Sequence, residues 1–207
     1  MQMGKKSGTT TVGILGKDFV LLAAESKATA GYLVASKEAK KIYKINDRIA
    51  ASIAGSVGDS QMLIRILKAE AKLYELENKA ISVEALATLL SNLMQGSRIF
   101  PYITEVLLAG FDKKGFHIFD VDALGGVIEE KRFVATGSGS PLALGVLESE
   151  YRENLSKEEA IELATRAIRA AMERDVFSGG KKIEMLLITR EGMESITKEV
   201  RSELVKA

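Results

Sequence analysis

Gly8–Thr9 lies near the start of the chain, where a glycine precedes three threonines and a hydrophobic run follows. A threonine hydroxyl is inert at neutral pH and acts as a nucleophile only beside a base. The chain has no cysteine and one histidine, His117. A thiol nucleophile is thereby excluded, a multi-histidine metal centre cannot be built, and any hydrolytic base is to be sought elsewhere than histidine. A freed α-amino group fits, since its pKa of roughly 8 lets it accept a proton near neutral pH. Thr9 would acquire one if the Gly8–Thr9 bond were cut. Its γ-methyl restricts χ1 and pre-orients Oγ, and Gly8 leaves its own carbonyl open to close approach. Taken alone, the same stretch reads more simply as the β-branched start of a strand.

Composition narrows the setting. With 207 residues, 46% hydrophobic and 28% charged, one domain with a sizeable core is expected. A net charge of +1 gives no field that would draw nucleic acid or an anionic membrane. No run approaches the roughly 18 apolar residues of a membrane span, and residues 1–8 have no apolar segment of signal-peptide type. A cytoplasmic protein is expected, with no cofactor and no metal.

The hydrophobic pattern supplies the elements that must position Thr9. Short strands are predicted over residues 10–15, 19–25, 40–45 and 49–55, with turns between them. The period then changes to that of an amphipathic helix over residues 56–78, with Leu63, Ile66, Leu67, Leu73 and Tyr74 as its stripe and Ser56 as its cap. A second helix is predicted over residues 82–95. Strands return over residues 102–112 and 116–122 and again after Val127. A third helix follows Pro141, and a fourth opens on a capping box at Ser156 and Glu159. A strand is predicted over residues 183–190, and the tail is expected to end in a short helix. Strands grouped with strands, and helices with helices, argue against alternating βαβ units. The fold expected is α+β, a four-layer αββα sandwich of two antiparallel sheets flanked by helix pairs.

Taken together these segments resemble the β-type subunits of the archaeal 20S proteasome, a family of N-terminal-nucleophile hydrolases. "GTTTVGI" resembles the family's processing site and first strand. "AAESKATAGYLVASKEAKKIYKI" (residues 23–45) resembles its acidic, basic and threonine stretch followed by a double lysine. "AGSVGD" (54–59), "LLSN" (89–92), "FPY" (100–102), "ATGSGSP" (135–141), "GVLESEY" (145–151) and "RDVFSGG" (174–180) follow in the family's order. The likeness spans nearly all of residues 9–190.

The resemblance implies that residues 1–8 are a propeptide removed at Gly8–Thr9, and that residues 9–207 form a single catalytic domain. Thr9 would be the nucleophile and, through its freed amine, the base. Glu25 and Lys41 would be the acid–lysine pair beside it, with Lys40 turned away to solvent. Ser138, Asp175 and Ser178 would surround the Thr9 amine, and Gly55 would form the oxyanion hole at a helix start. A substrate strand would pair beside Thr29 and Gly55. Ala28, Ala39, Ile53 and Val57 would line the first specificity pocket, and their apolar character implies a chymotrypsin-like preference. His117 is assigned no chemistry. The implied partners are further copies in two stacked seven-membered rings, flanking rings of α subunits, an ATPase regulator acting through those rings, and unfolded polypeptides as substrates. A non-cutting scaffold subunit would need none of these polar residues.

Overall fold

A computed structural model of the chain describes residues 8–77 and 80–200. Twelve strands and four helices follow in order: β1 (Thr10–Leu15), β2 (Val20–Glu25), β3 (Ala28–Ala30), β4 (Leu33–Ser36), β5 (Ile42–Lys44), β6 (Ile49–Gly55), α1 (Val57–Glu77), α2 (Val83–Gly96), β7 (Thr104–Asp112), β8 (Gly115–Val121), β9 (Val127–Glu130), β10 (Phe133–Gly137), α3 (Ser140–Glu150), α4 (Lys157–Arg174), β11 (Lys182–Thr189) and β12 (Gly192–Glu199). One five-stranded sheet runs β10-β1-β2-β11-β12 and another runs β5-β6-β7-β8-β9. All their pairings are antiparallel.

Three buried clusters define the four layers. Val20, Leu22 and Ala24 of the first sheet meet Ile42, Ala50, Leu107 and Ile118 of the second. Val12, Leu21, Ala23 and Met185 face away from that seam and pack on Leu147 of α3 and Leu163, Ala167 and Ile168 of α4. Ile53, Val106, Leu108 and Phe119 pack on Leu63 and Leu67 of α1 and Leu86 and Leu90 of α2. Alternation along a strand sends successive side chains to opposite faces, so one sheet serves two cores. β2 is buried along its whole length, as its unbroken apolar run requires. The expected αββα sandwich is the fold observed.

Local signals account for several boundaries. Ser156 accepts a bond from the Glu159 N–H while Glu159 reaches back to the Ser156 N–H, closing the capping box that opens α4. Ser82 caps α2 in the simpler way, accepting from the Ala85 N–H. The stripe expected on α1 divides: Leu63 and Leu67 are buried, whereas Leu73 and Tyr74 face solvent. Residues 192–199 form edge strand β12, pairing with all of β11, and the end of the tail, where a short helix is expected, lies over residues 201–207, outside the described residues. The hairpin β3-β4 also went unpredicted.

Candidate active site

The antiparallel order gathers strand ends at one end of the sandwich. Thr9 immediately precedes β1. Thr10 pairs with Gly137 at the end of β10, and Ile183 near the start of β11 pairs with Glu25 at the end of β2. In the other sheet Lys41 stands just before β5, its carbonyl accepting from the Ile53 N–H at 3.0 Å, and Gly55 ends β6. Residues far apart in sequence thus meet around Thr9.

Glu25 and Lys41 form an ion pair that bridges the two sheets, and both side chains are buried. Lys41 Nζ also donates to the Lys27 carbonyl at 2.6 Å. The Glu25 carboxylate accepts further from the N–H groups of Lys27 (2.6 Å), Gly179 (3.1 Å) and Thr10 (3.3 Å). A buried charge is tolerated only when paired and hydrogen-bonded, and this carboxylate is. Burial pushes the Lys41 ammonium below the usual lysine pKa, against the pull of Glu25. Burial likewise pushes Glu25 upward, against Lys41 and the Lys27 and Gly179 N–H groups. The pair is therefore closer to exchanging a proton than either group would be in water.

A second acidic group lies on the other side. Asp175 caps the C-terminal end of α4. Its Oδ2 accepts from Ser138 Oγ and Ser178 Oγ, each at 2.6 Å, and its Oδ1 accepts from the Phe177 N–H at 3.2 Å. Ser138 Oγ is 3.4 Å from the Thr9 carbonyl oxygen. The sequence reading missed Thr10, whose Oγ1 lies 2.6 Å from Ser178 Oγ. Its one visible signal was its place as the second of three threonines in a run otherwise suited to a buried strand.

Thr9 is buried. Its Oγ donates to the carbonyl oxygen of Gly8 at 2.8 Å. Among the described residues that is the hydroxyl's hydrogen bond, and none joins it to Lys41. Gly8 admits no side chain, since a Cβ there would sit 1.9 Å from Phe177 Cβ and 2.7 Å from Ser138 Oγ. Gly137 has φ +90°, and a Cβ on it would lie 2.0 Å from the Thr9 carbonyl oxygen. Glycine alone permits both that angle and that approach.

A cleft of about 440 Å³ opens beside Thr9, lined among others by Gly8, Gly55, Glu105, Gly137, Ser138 and Phe177. Gly55 thus faces the same space as Thr9, just ahead of α1, where the positive end of the helix dipole lies. Thr29, expected beside the substrate strand, and the four residues expected to line the specificity pocket lie outside this lining. Thr29 and Ile53 are buried, Ala28 and Ala39 are half-buried, and Val57 is exposed. Thr29 Oγ1 is buried without a hydrogen-bond partner among the described residues. Lys40 is exposed and stacks over Tyr43 at 5.4 Å. His117, left without a role, bridges Glu129 (2.8 Å) and Asp112 (3.3 Å). No group of side chains among the described residues could hold a metal ion, and no helix there is long and apolar enough to cross a membrane.

Comparison with known proteins matches residues 5–188 to the family model described as proteasome subunit. A protein of Methanocaldococcus vulcanius named proteasome subunit beta is 49% identical over 205 residues, covering 98% of this chain and 92% of that protein. Proteins of the same name from Methanocaldococcus sp. strain FS406-22 and Ferroglobus placidus are 52% and 51% identical. They cover 93% and 96% of this chain and 86% and 95% of their own lengths.

Proposed function

The chain belongs to the proteasome subunit family, and we propose how it works as a catalytic β-type subunit of the 20S core, a threonine-type endopeptidase with Thr9 as nucleophile. One observation supports the assignment of Thr9: its hydroxyl lies 2.8 Å from the Gly8 carbonyl oxygen, in a residue whose own carbonyl is 3.4 Å from Ser138 Oγ and whose neighbour Thr10 donates its N–H to Glu25.

In the chain as it stands the Thr9 nitrogen is an amide and cannot act as a base. Thr9 Oγ first attacks the Gly8 carbonyl carbon. The Oγ–C bond forms, the C–N bond breaks, and the nitrogen takes the proton. Water then hydrolyses the ester, releasing residues 1–8 and leaving a free amine on Thr9. On a substrate, that amine takes the Oγ proton, directly or through water. Oγ attacks the peptide carbonyl, the departing amine receives the proton, and water releases the acyl group. Lys41 places one ammonium proton on Glu25 and one on the Lys27 carbonyl. Of its three donors, the last is left for the Thr9 oxygen, where positive charge favours the developing alkoxide. Ser138, Asp175 and Ser178 hold the freed amine. Gly55, at the mouth of α1, serves the oxyanion.

A substrate strand would pair, backbone to backbone, beside Thr29 and Gly55. Apolar residues at Ala28, Ala39, Ile53 and Val57 suit a chymotrypsin-like preference. The subunit assembles with other proteasome subunits. Its exposed Tyr32, Leu33, Ile99, Phe100, Leu124, Ile128 and Val176 are apolar side chains that neighbouring subunits could cover. Two stacked rings of seven copies, flanked by α-subunit rings and served by an ATPase, are the assembly proposed, in the cytoplasm.

The deciding measurement is the intact mass of the chain after co-production with its α-type partners. Loss of residues 1–8, abolished by Thr9→Ala together with peptidase activity, is expected. An active particle holding the wild-type chain uncut overturns the reading.

A further inference from the structure

We propose that the cleft beside Thr9 receives the residue that follows the scissile bond, and that Glu105 makes this subsite select lysine or arginine. The proposal rests on Thr9 acting as nucleophile through its own amine. The group that removes the Oγ proton must return a proton to the departing amine. That amine therefore leaves from beside the Thr9 nitrogen, and the first residue on its side lies in the adjoining space. In the uncut chain the position next to that nitrogen is held by Gly8, which lines the cleft. Removal of Gly8 opens the space to substrate.

The lining of this space is specific in its chemistry. Ala54, Ile103, Ala123 and Phe177 give it apolar walls, and Glu105 is its sole charged residue among those described. The Glu105 carboxylate is anchored: Oε2 accepts from the Gly137 N–H at 3.2 Å. Gly137 also makes the close approach to the Thr9 carbonyl oxygen, 2.0 Å from where its Cβ would be. One glycine therefore separates the carboxylate from the backbone of the nucleophile. Asp120, outside the lining, stands near enough for its charge and that of Glu105 to repel. A lysine or arginine can lay its aliphatic stem on Ile103 and Phe177 and bring its cation to Glu105. A glutamate or aspartate at that substrate position meets like charge.

The assembled particle is assayed with three internally quenched peptides, identical up to the scissile bond and carrying Lys, Gln or Glu immediately after it. The cut site of each is confirmed by product mass. At low ionic strength the lysine peptide is expected to be cleaved about tenfold faster than the glutamate peptide, the gap narrowing with added salt. In Glu105→Gln, which keeps an acceptor for Gly137, the three rates converge to within about twofold. The readout is the ratio of lysine-peptide to glutamate-peptide rates within each form, which a change in overall activity does not move. Equal rates for the three peptides in the wild type overturn the proposal, as does a lysine preference that survives Glu105→Gln. The wild-type comparison stands even if the variant assembles poorly. Activity persisting in Thr9→Ala would instead mark failure of the nucleophile assignment.

Discussion

Thr10 Oγ1 lies 2.6 Å from Ser178 Oγ, and through the Thr10 N–H the same residue reaches Glu25 at 3.3 Å. Thr10 is completely buried and links the two acidic groups that flank Thr9. With Ser178 donating to Asp175, the Thr10 hydroxyl donates to Ser178, so its orientation is fixed by its neighbours. Thr10→Val preserves shape and the backbone bond but leaves Ser178 Oγ one donor short. An unmet buried partner costs about 1–3 kcal/mol. We expect kcat on a fluorogenic peptide to fall about tenfold, equivalent to about 1.4 kcal/mol of barrier, with KM nearly unchanged. Thr10→Ser should restore most of the rate. A valine variant with wild-type kcat would show that the link plays no part.

Gly8 is held against Phe177 and Ser138 so closely that a Cβ would overlap both. Gly8→Ala must displace the Gly8 carbonyl from its place 2.8 Å from Thr9 Oγ. Misplacement of reacting atoms by an ångström costs about a hundredfold in rate. Intact-mass measurement over time should show release of residues 1–8 slowed by about that factor. Particles in which residues 1–8 have finally been removed should have normal activity, because Gly8 is then absent. Unimpaired processing of Gly8→Ala would count against the packing argument.

Much of this site could be read in the sequence, and the remainder could not, for reasons of distance along the chain. The Ser156–Glu159 capping box, the unbroken apolar run of β2 and the helical stripes are local patterns, and each produced its element. Glu25 and Lys41 became a pair only through the family resemblance, since nothing in their spacing says that one ends a strand of the first sheet and the other precedes a strand of the second. Thr10 and Ser178 are 168 positions apart, and Glu105 reaches Gly137 across 32, so neither relation has a local signature. The β3-β4 hairpin escaped notice because Leu33 and Val34 face solvent, which breaks the alternation that marks a half-buried strand. β12 went unrecognised because an edge strand carries the charged residues that keep edges from pairing, here Glu194, Lys198 and Glu199.

Lys41 separates stability from chemistry at the ion pair. Lys41→Ala leaves the buried Glu25 carboxylate without its cation, an arrangement that costs about 3–5 kcal/mol. Replacing both members by apolar residues of similar size, Glu25→Leu with Lys41→Met, removes the uncompensated charge and is expected to recover part of that loss, the N–H groups of Thr10, Lys27 and Gly179 being left without their acceptor. Peptidase activity should be down about a thousandfold in both variants, since neither retains the ammonium proposed to act on the Thr9 oxygen. Denaturant unfolding and peptide hydrolysis, measured on the same preparations, test the two halves. Activity recovering together with stability in the double variant would reduce the pair to a structural role.

Asp120 on β8 supplies a pH-dependent test. Burial first, then the charges of Glu105, Glu130 and Asp122, raise its carboxyl from 3.8 to about 6, and its Oδ1 has no hydrogen-bond partner among the described residues. A carboxyl raised by folding holds its proton in the folded chain over a range where the unfolded chain has released it. Its contribution to stability is therefore full below about pH 4 and is lost as the pH rises through about 6. Asp120→Asn stays neutral throughout. It should be more stable than the wild type by about 1 kcal/mol above pH 7, a figure reduced for the solvent that screens a half-buried group, and equal to it near pH 4. Thermal unfolding of both forms at pH 4 and pH 8 reads the difference. Because Glu105 contributes to the raised value, Glu105→Gln should lower the Asp120 midpoint and shrink the benefit of Asp120→Asn at pH 8. A benefit of the same size at both pH values, or one indifferent to Glu105, would mean that Asp120 acts through packing and not through charge.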